Sequence, residues 1–259
     1  MNELLRQFSE QQVAGFMLVI ARIAPLFVVA PMFSSKMIPP RVKGITAVGL
    51  AVGIAPLATA DHRLPLDVMS LAAIAGKELM VGLAFAFAIG VLFAAVTAAG
   101  ALLDTLIGFS FGALVDPITG NNSSILGQLY ALVGVAIFIA VNGDHWVIQG
   151  LYRTYDLVPL ADAPSIPSLT AGVQAAFSGV FVAALELSAP VVLAVILTDA
   201  AFGVVSRVVP QLNVFAVGFS AKVTVGLLVL GVSLPFAAGW LSDELQRSVG
   251  AALHSLRVA

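Results

Sequence analysis

Seven ionisable residues lie inside runs that are otherwise almost wholly apolar: Arg22, Lys77 beside Glu78, Glu186, Asp199, Arg207 and Lys222. A charge at the centre of a bilayer costs on the order of 2.5 to 3.5 kcal/mol on insertion scales, so each needs a partner, a wet cavity or a position outside lipid. Two chemistries are open. One is a relay that moves ions or protons through an independent small-solute transporter. The other is pairing between helices or subunits, with the remaining side chains snorkelling to an edge. The relay lacks two supports: the acids are not paired at helical spacing on one face, and no two corresponding interrupted helices mark an inverted repeat.

Other chemistry has little to be built from. The chain holds three histidines, His62, His145 and His254, and no cysteine, which leaves no metal-ligand set and no disulfide. His145, in NGDHW beside Trp146, reads as an interfacial residue. No nucleophile, base and orienting group recur at usable spacing, and GxxxxGK[ST] does not occur. An enzyme, a cofactor and a nucleotide site are therefore not expected. A net charge of -2 gives no reason to expect nucleic acid.

The elements that must carry the seven charges are membrane helices. Of 259 residues, 60% are hydrophobic and 10% charged, and 12 Lys+Arg with 14 Asp+Glu cannot cover a water-facing surface of that size. A spanning helix needs about 20 mostly apolar residues to cross a layer ~30 Å thick. Runs over 13–33, 44–60, 71–103, 124–142, 171–206 and 212–241 reach or approach that length. The third and fifth are too long for one simple crossing and are expected to be tilted, broken or continued outside the bilayer. None alternates as a barrel strand does. The first segment, MNELLRQFSEQQ, lacks a basic n-region, so the apolar run after it is expected to be retained.

Orientation is mixed. Lys36, Arg41 and Lys43 in KMIPPRVK favour a cytoplasmic loop and an amino terminus outside. Alternation through six spans then puts the acidic 104–122 stretch inside and Arg247 and Arg257 outside, against the rule in both places. A chain that does not thread the bilayer as a simple serpentine would give this mixture. Small residues at Ala84, Ala88, Ala95 and Ala99, and at Gly49 and Gly53, predict close helix packing.

Two segments stand out. Residues 104–122, DTLIGFSFGALVDPITGNN, carry two acids, three glycines, a proline and no basic residue between two strongly apolar runs. They read either as a working, mobile loop or as a plain turn with its aromatics packed locally. In residues 198–222, Asp199 opens a helical stretch, Arg207 interrupts it and Pro210 can end it, since proline has no N–H to donate. Gln211 and Asn213 then supply turn chemistry, so the segment predicts a hairpin turning near 207–213.

Four stretches in this order resemble the FliR/SctT family of type III export-gate proteins: RIAPLFVVAPMFSSKMIPPRVKGITAVGLAVGIAP, AAVTAAGALLDTLIGFSFGALVDP, NGDHWVIQGL and LTDAAFGVVSRVVPQLNVFAVGF. NGDHW, VDP and PQLNVF look more flagellar than injectisome. One departure is Ser220-Ala221 after Gly218-Phe219, where many members continue with proline; the second hairpin helix is expected to begin less sharply here.

The resemblance implies an all-α, integral-membrane-type architecture of helical hairpins. Residues 1–184, including a plug loop at 104–122, would be FliP-like, and 185–259 a FliQ-like hairpin and tail, built into a helical export-gate assembly. Its implied partners are FliP-like and FliQ-like subunits, FlhB-like and FlhA-like export proteins, and unfolded flagellar proteins in transit, at the inner membrane within the flagellar basal body. It implies a plug made by Gly108, Phe109, Phe111, Gly112, Leu114, Asp116 and Pro117. Phe109, Phe111 and Leu114 would fill a narrow lumen, Gly108 and Gly112 let the backbone move, and Asp116 with Pro117 fix the exit. It also implies partner contacts through the hairpin residues Asp199, Arg207, Pro210, Gln211 and Asn213.

Overall fold

In the computed structural model, residues 9–35, 38–59, 64–110, 124–160, 162, 164–211 and 213–256 are described, and every regular element among them is an α-helix. In chain order these are α1 (Glu10–Val29), α2 (Pro31–Ser34), α3 (Pro40–Ala58), α4 (Val68–Ile107), α5 (Ile125–Ala140), α6 (Gly143–Leu157), α7 (Ile166–Val208) and α8 (Val214–Ser255). Among the described residues, five helices are long and apolar enough to cross a membrane, and a sixth span results if α5 and α6 count as one.

Local chemistry sets most boundaries. Ser9 and Gln12 form a capping box that starts α1, the serine oxygen accepting from the Gln12 N–H and the glutamine oxygen from the Ser9 N–H. The run expected over 13–33 is divided at Ala30, where the backbone turns extended and Pro31 opens α2. Pro40 at the first position starts α3 four residues before its apolar run. Asp67 accepts from the Ser70 N–H at 2.9 Å, which starts α4 and holds the Asp67 carboxyl below the ordinary carboxylate range.

The three longest helices are unbroken, at 40, 43 and 42 residues. At ~1.5 Å per residue each is about 60 Å long, twice the ~30 Å hydrocarbon layer. Of the options for the long runs, a break is excluded: α7 continues through Pro190 and α8 through Pro235. The sixth run extends well past residue 241, because Leu245, Val249, Ala252 and Leu256 are buried at helical spacing and keep the polar tail helical.

The chain divides into two compact units. The first comprises Met1–Val91, Gly143–Phe177 and Leu245–Ala259, and the second Leu92–Asn142 and Ser178–Glu244. In the first, α3 packs on α1. Gln11 clamps Leu64 in both directions, its amide nitrogen donating to the Leu64 carbonyl at 2.7 Å and its oxygen accepting from the Leu64 N–H at 2.9 Å. Val81, Val158, Leu169 and Leu256 bring α4, the end of α6, the start of α7 and the end of α8 into one apolar cluster.

At the centre of this unit Arg22 and Glu78 are 0% and 1% exposed. The guanidinium donates through Nε and Nη2 to the two carboxylate oxygens, Nη2 to Oε1 at 2.9 Å. Nη2 also donates to the Val158 carbonyl at 2.8 Å and Nη1 to the Thr154 hydroxyl at 3.3 Å, while the Tyr155 ring lies 4.1 Å from the guanidinium carbon. Gly82 makes the geometry possible: a Cβ there would overlap the Arg22 carbonyl. The interhelix pairing expected of the buried charges is found here.

In the second unit, Gly100 lets α4 and α5 touch backbone to backbone, since a Cβ there would lie 2.7 Å from the Gly127 Cα. Phe93 and Phe138 pack at 5.4 Å beside this crossing. Glu186 accepts from the Trp240 indole N–H at 3.1 Å, joining α7 to α8. Of the small residues singled out in the sequence, Ala95 and Ala99 are buried, whereas Gly49 and Gly53 on α3 face open space.

Removing one member of the central pair leaves a desolvated charge unpaired, which costs about 3–5 kcal/mol, whereas replacing both with apolar residues of similar size is often close to neutral. Arg22→Met and Glu78→Met singly are therefore expected to lower the thermal stability of the detergent-purified protein sharply. The double variant is expected to recover most of it, as read by melting followed with size-exclusion chromatography.

Candidate functional site

The glycine-rich segment singled out in the sequence begins as helix. Residues 104–107 are the last turn of α4, and the chain leaves the helix at Gly108, whose φ of 104° lies in the region that favours glycine. The Gly108 and Ser110 N–H groups both donate to the Asp104 carbonyl, at 3.0 and 3.5 Å. Phe111, Gly112, Leu114, Asp116 and Pro117 lie outside the described residues.

Asp104 is therefore not a loop acid. It is 3% exposed, and its carboxylate accepts from the Leu126 N–H at 3.1 Å, capping α5 alongside Ser124, whose hydroxyl accepts from the Gly127 N–H at 2.7 Å. The same residue thus ends one helix through its carbonyl and starts the next through its side chain. The two ends of the glycine-rich segment are held together across it.

The carboxyl end of α4 meets the α7–α8 hairpin at an open cleft of about 460 Å³, lined by Leu106, Gly108, Asp199, Phe202, Phe219 and Lys222 among others. Lys222 Nζ lies 3.1 Å from an Asp199 oxygen and donates to the Leu106 carbonyl at 3.4 Å. An ammonium at a helix carboxyl end is attracted by the free carbonyls there. Phe109, half-buried, packs edge-on against Phe219 with ring centroids 6.2 Å apart, the local packing that the plain-turn reading expects of this side chain. Gly226 receives Ile107 at its surface; a Cβ there would lie 2.6 Å from the isoleucine Cδ1.

The hairpin turns where its sequence says it should. α7 ends at Val208, Pro210 and Gln211 form an exposed turn, and exposed Asn213 caps α8 by accepting from the Ala216 N–H at 3.2 Å. The start of α8 is thus set upstream of Ser220-Ala221, and the departure from proline there does not blunt it. Arg207 is exposed in the last turn of α7, where a cation suits the helix carboxyl end. Asp199 joins Lys222, so of the five hairpin residues one belongs to the cleft and four to the tip.

Sequence reasoning missed three groups that matter. Thr154 and Tyr155 sit on α6, a helix too short and too polar to register as a span. Its signal is the buried spacing Val147, Gly150, Leu151, Thr154 and Tyr155. Asp104 was hidden by its neighbours, since it stands next to glycine-rich sequence. His145 is exposed at the start of α6, after Asn142 takes a positive φ of 54°. Among the described residues no group of three or more acids and histidines could hold a metal ion.

These features define an all-α membrane protein in which a long apolar helix ends at a positive-φ glycine, with the next residue, Phe109, seated on a two-helix hairpin. Residues 13–248 match the family described as bacterial export proteins, family 1, and the chain belongs to that family. It is 32% identical over 226 residues to the flagellar biosynthetic protein FliR of Bacillus subtilis, covering 85% of this chain and 86% of that protein. The corresponding protein of Escherichia coli is 28% identical over 219 residues, 85% and 84% of the two chains. The secretion system apparatus protein SsaT of Salmonella typhimurium is 30% identical over 165 residues, 62% of each. The chain is an export protein and not an enzyme.

Asp104→Ala leaves the buried Leu126 N–H without an acceptor, a loss of about 1–3 kcal/mol. The variant is expected to melt earlier and to expose the 124–128 amides to hydrogen exchange, while Asp104→Asn, which keeps an acceptor oxygen, is expected to lose less than half as much.

Proposed function

We propose that the chain is a component of the flagellar type III protein export gate in the bacterial inner membrane, part of the channel through which unfolded flagellar subunits leave the cell. The observation that carries this reading is the match to the export family over residues 13–248, joined to flagellar relatives over about 85% of the chain. The injectisome alternative draws on SsaT and on the surface presentation of antigens protein SpaR of Shigella sonnei, 24% identical over 82% of this chain. The flagellar reading is favoured by the higher identity over the longer match.

In this reading residues 1–184 act as the FliP-like part and 185–259 as the FliQ-like hairpin and tail. FliP-like and FliQ-like subunits cover the long exposed apolar helices, and FlhB-like and FlhA-like proteins meet the assembly in the flagellar basal body. Support comes from helix length. Exposed Phe177, Phe181, Leu185, Leu193, Leu197 and Val208 run along α7 for more apolar length than a ~30 Å layer can cover. Protein partners must cover the remainder.

An export gate has to pass a polypeptide and stop ions, which an apolar constriction can do by dewetting. Residues 108–115 are the proposed plug: Phe109, Phe111 and Leu114 supply the apolar surface, Gly108 and Gly112 the backbone freedom, and Asp116 with Pro117 the fixed exit. Phe109 on Phe219 is then the resting seat of the plug's first aromatic.

Shortening 108–115, or replacing Phe109 and Phe111 by alanine, is expected to leave the assembled complex intact and to raise its resting ion conductance in planar bilayers; conductance equal to the parent's removes the plug from the reading. Arg207→Glu places an acid at the carboxyl end of α7 and on the hairpin tip, and is expected to reduce the amount of FliQ-like or FlhB-like partner that co-purifies. A normal complex would show that the tip charge is not a partner contact.

A further inference from the structure

Lys222 has two partners. Its ammonium meets Asp199 on the facing hairpin helix and, separately, the Leu106 carbonyl at the end of α4. The Asp199 side chain is 56% exposed and that of Lys222 22%, so this chain alone does not enclose the pair. The buried Arg22–Glu78 pair, fully desolvated and shared by three segments, is of the opposite kind. A half-exposed pair that also grips a helix terminus is suited to setting the position of that terminus.

The terminus it grips is the base of the glycine-rich segment. Leu106 is followed within three residues by the hinge Gly108 and by Phe109, which rests on Phe219, one turn before Lys222 on the same helix. Ile107 seats on Gly226, one turn after it. Three consecutive turns of α8 thus hold three residues of the α4 terminus, with Lys222 as the only polar grip among them.

We propose that Lys222 is a positioning residue for the gate: oriented by Asp199, it holds the α4 carboxyl end and residues 108–110 on the hairpin, and its release frees the base of the segment. This rests on the reading of residues 108–115 as the seal, and it adds the element to which that seal is tied. The simpler role for Lys222, neutralisation by Asp199 within the hairpin, needs no contact with Leu106 and predicts no effect on α4.

Hydrogen exchange of the assembled full-length complex separates the two roles. Lys222→Met is expected to speed exchange of the 106–110 amides, whose Gly108 and Ser110 N–H groups bond to Asp104, by about three-fold or more through local opening. Exchange around Trp240 should not change, and Lys222→Arg should restore the parent rate. Asp199→Asn is expected to act in the same direction and replaces Lys222→Met if that variant does not assemble. Parent-like exchange at 106–110, or faster exchange spread evenly along α7 and α8, overturns the proposal. Conductance distinguishes it from the seal itself: faster exchange with a shortened 108–115 that does not leak removes the seal and keeps the positioning role, and a leaking shortened loop with parent-like exchange does the reverse.

Discussion

A charge inside an apolar helix bundle must be neutralised where it lies, and the first unit is organised around that demand. Arg22 could not remain on α1 without Glu78, and the Thr154 hydroxyl and the Val158 carbonyl take two of the three guanidinium protons that Glu78 leaves. One side chain thereby dictates that α1, α4 and the end of α6 meet at one point. Gly82 follows from it, because α4 has to pass against the Arg22 backbone. So does the placement of Tyr155, which covers the guanidinium face and donates to the Val19 carbonyl at 3.4 Å.

The second unit meets the same demand with weaker contacts. Lys222 and Asp199 line an open cleft and are partly exposed, and the lysine spends one donor on a helix terminus instead of on a second buried acceptor. The two pairs differ in burial, 0% and 1% exposed for Arg22 and Glu78 against 22% and 56% for Lys222 and Asp199. If this site is the proposed gate, its contacts must be breakable at modest cost. The half-exposed pair, the edge-on aromatic contact and the positive-φ glycine are all of that kind.

Much of the fold is legible in the sequence because lipid leaves the chain few options. Continuous apolar runs must be helices, so the six apolar runs could be placed to within about five residues at each end except the last, whose helix continues to Ser255. Proline, glutamine and asparagine at 210–213 mark the hairpin turn by local rules that tertiary contacts do not override. The same rules missed α6, whose polar face lowers its average hydropathy although its buried residues keep a helical period. They also placed Asp104 in a loop. The residue is helical and buried because its carboxylate caps α5, a partner 22 positions away that no local pattern announces.

By itself the sequence determined the class of protein, its long apolar helices, the hairpin turn and the family, since all of these depend on composition, period and residues close in the chain. Only the tertiary structure decided which charges pair and what the glycine-rich segment rests on. Arg22 finds Glu78 across 56 positions and Thr154 across 132, and Lys222 reaches Leu106 across 116. Electrostatic need says only that each buried charge must have a partner. Which partner it has is fixed by helix packing, where Gly82, Gly100 and Gly226 allow backbones and side chains to come close enough for the pairing to form.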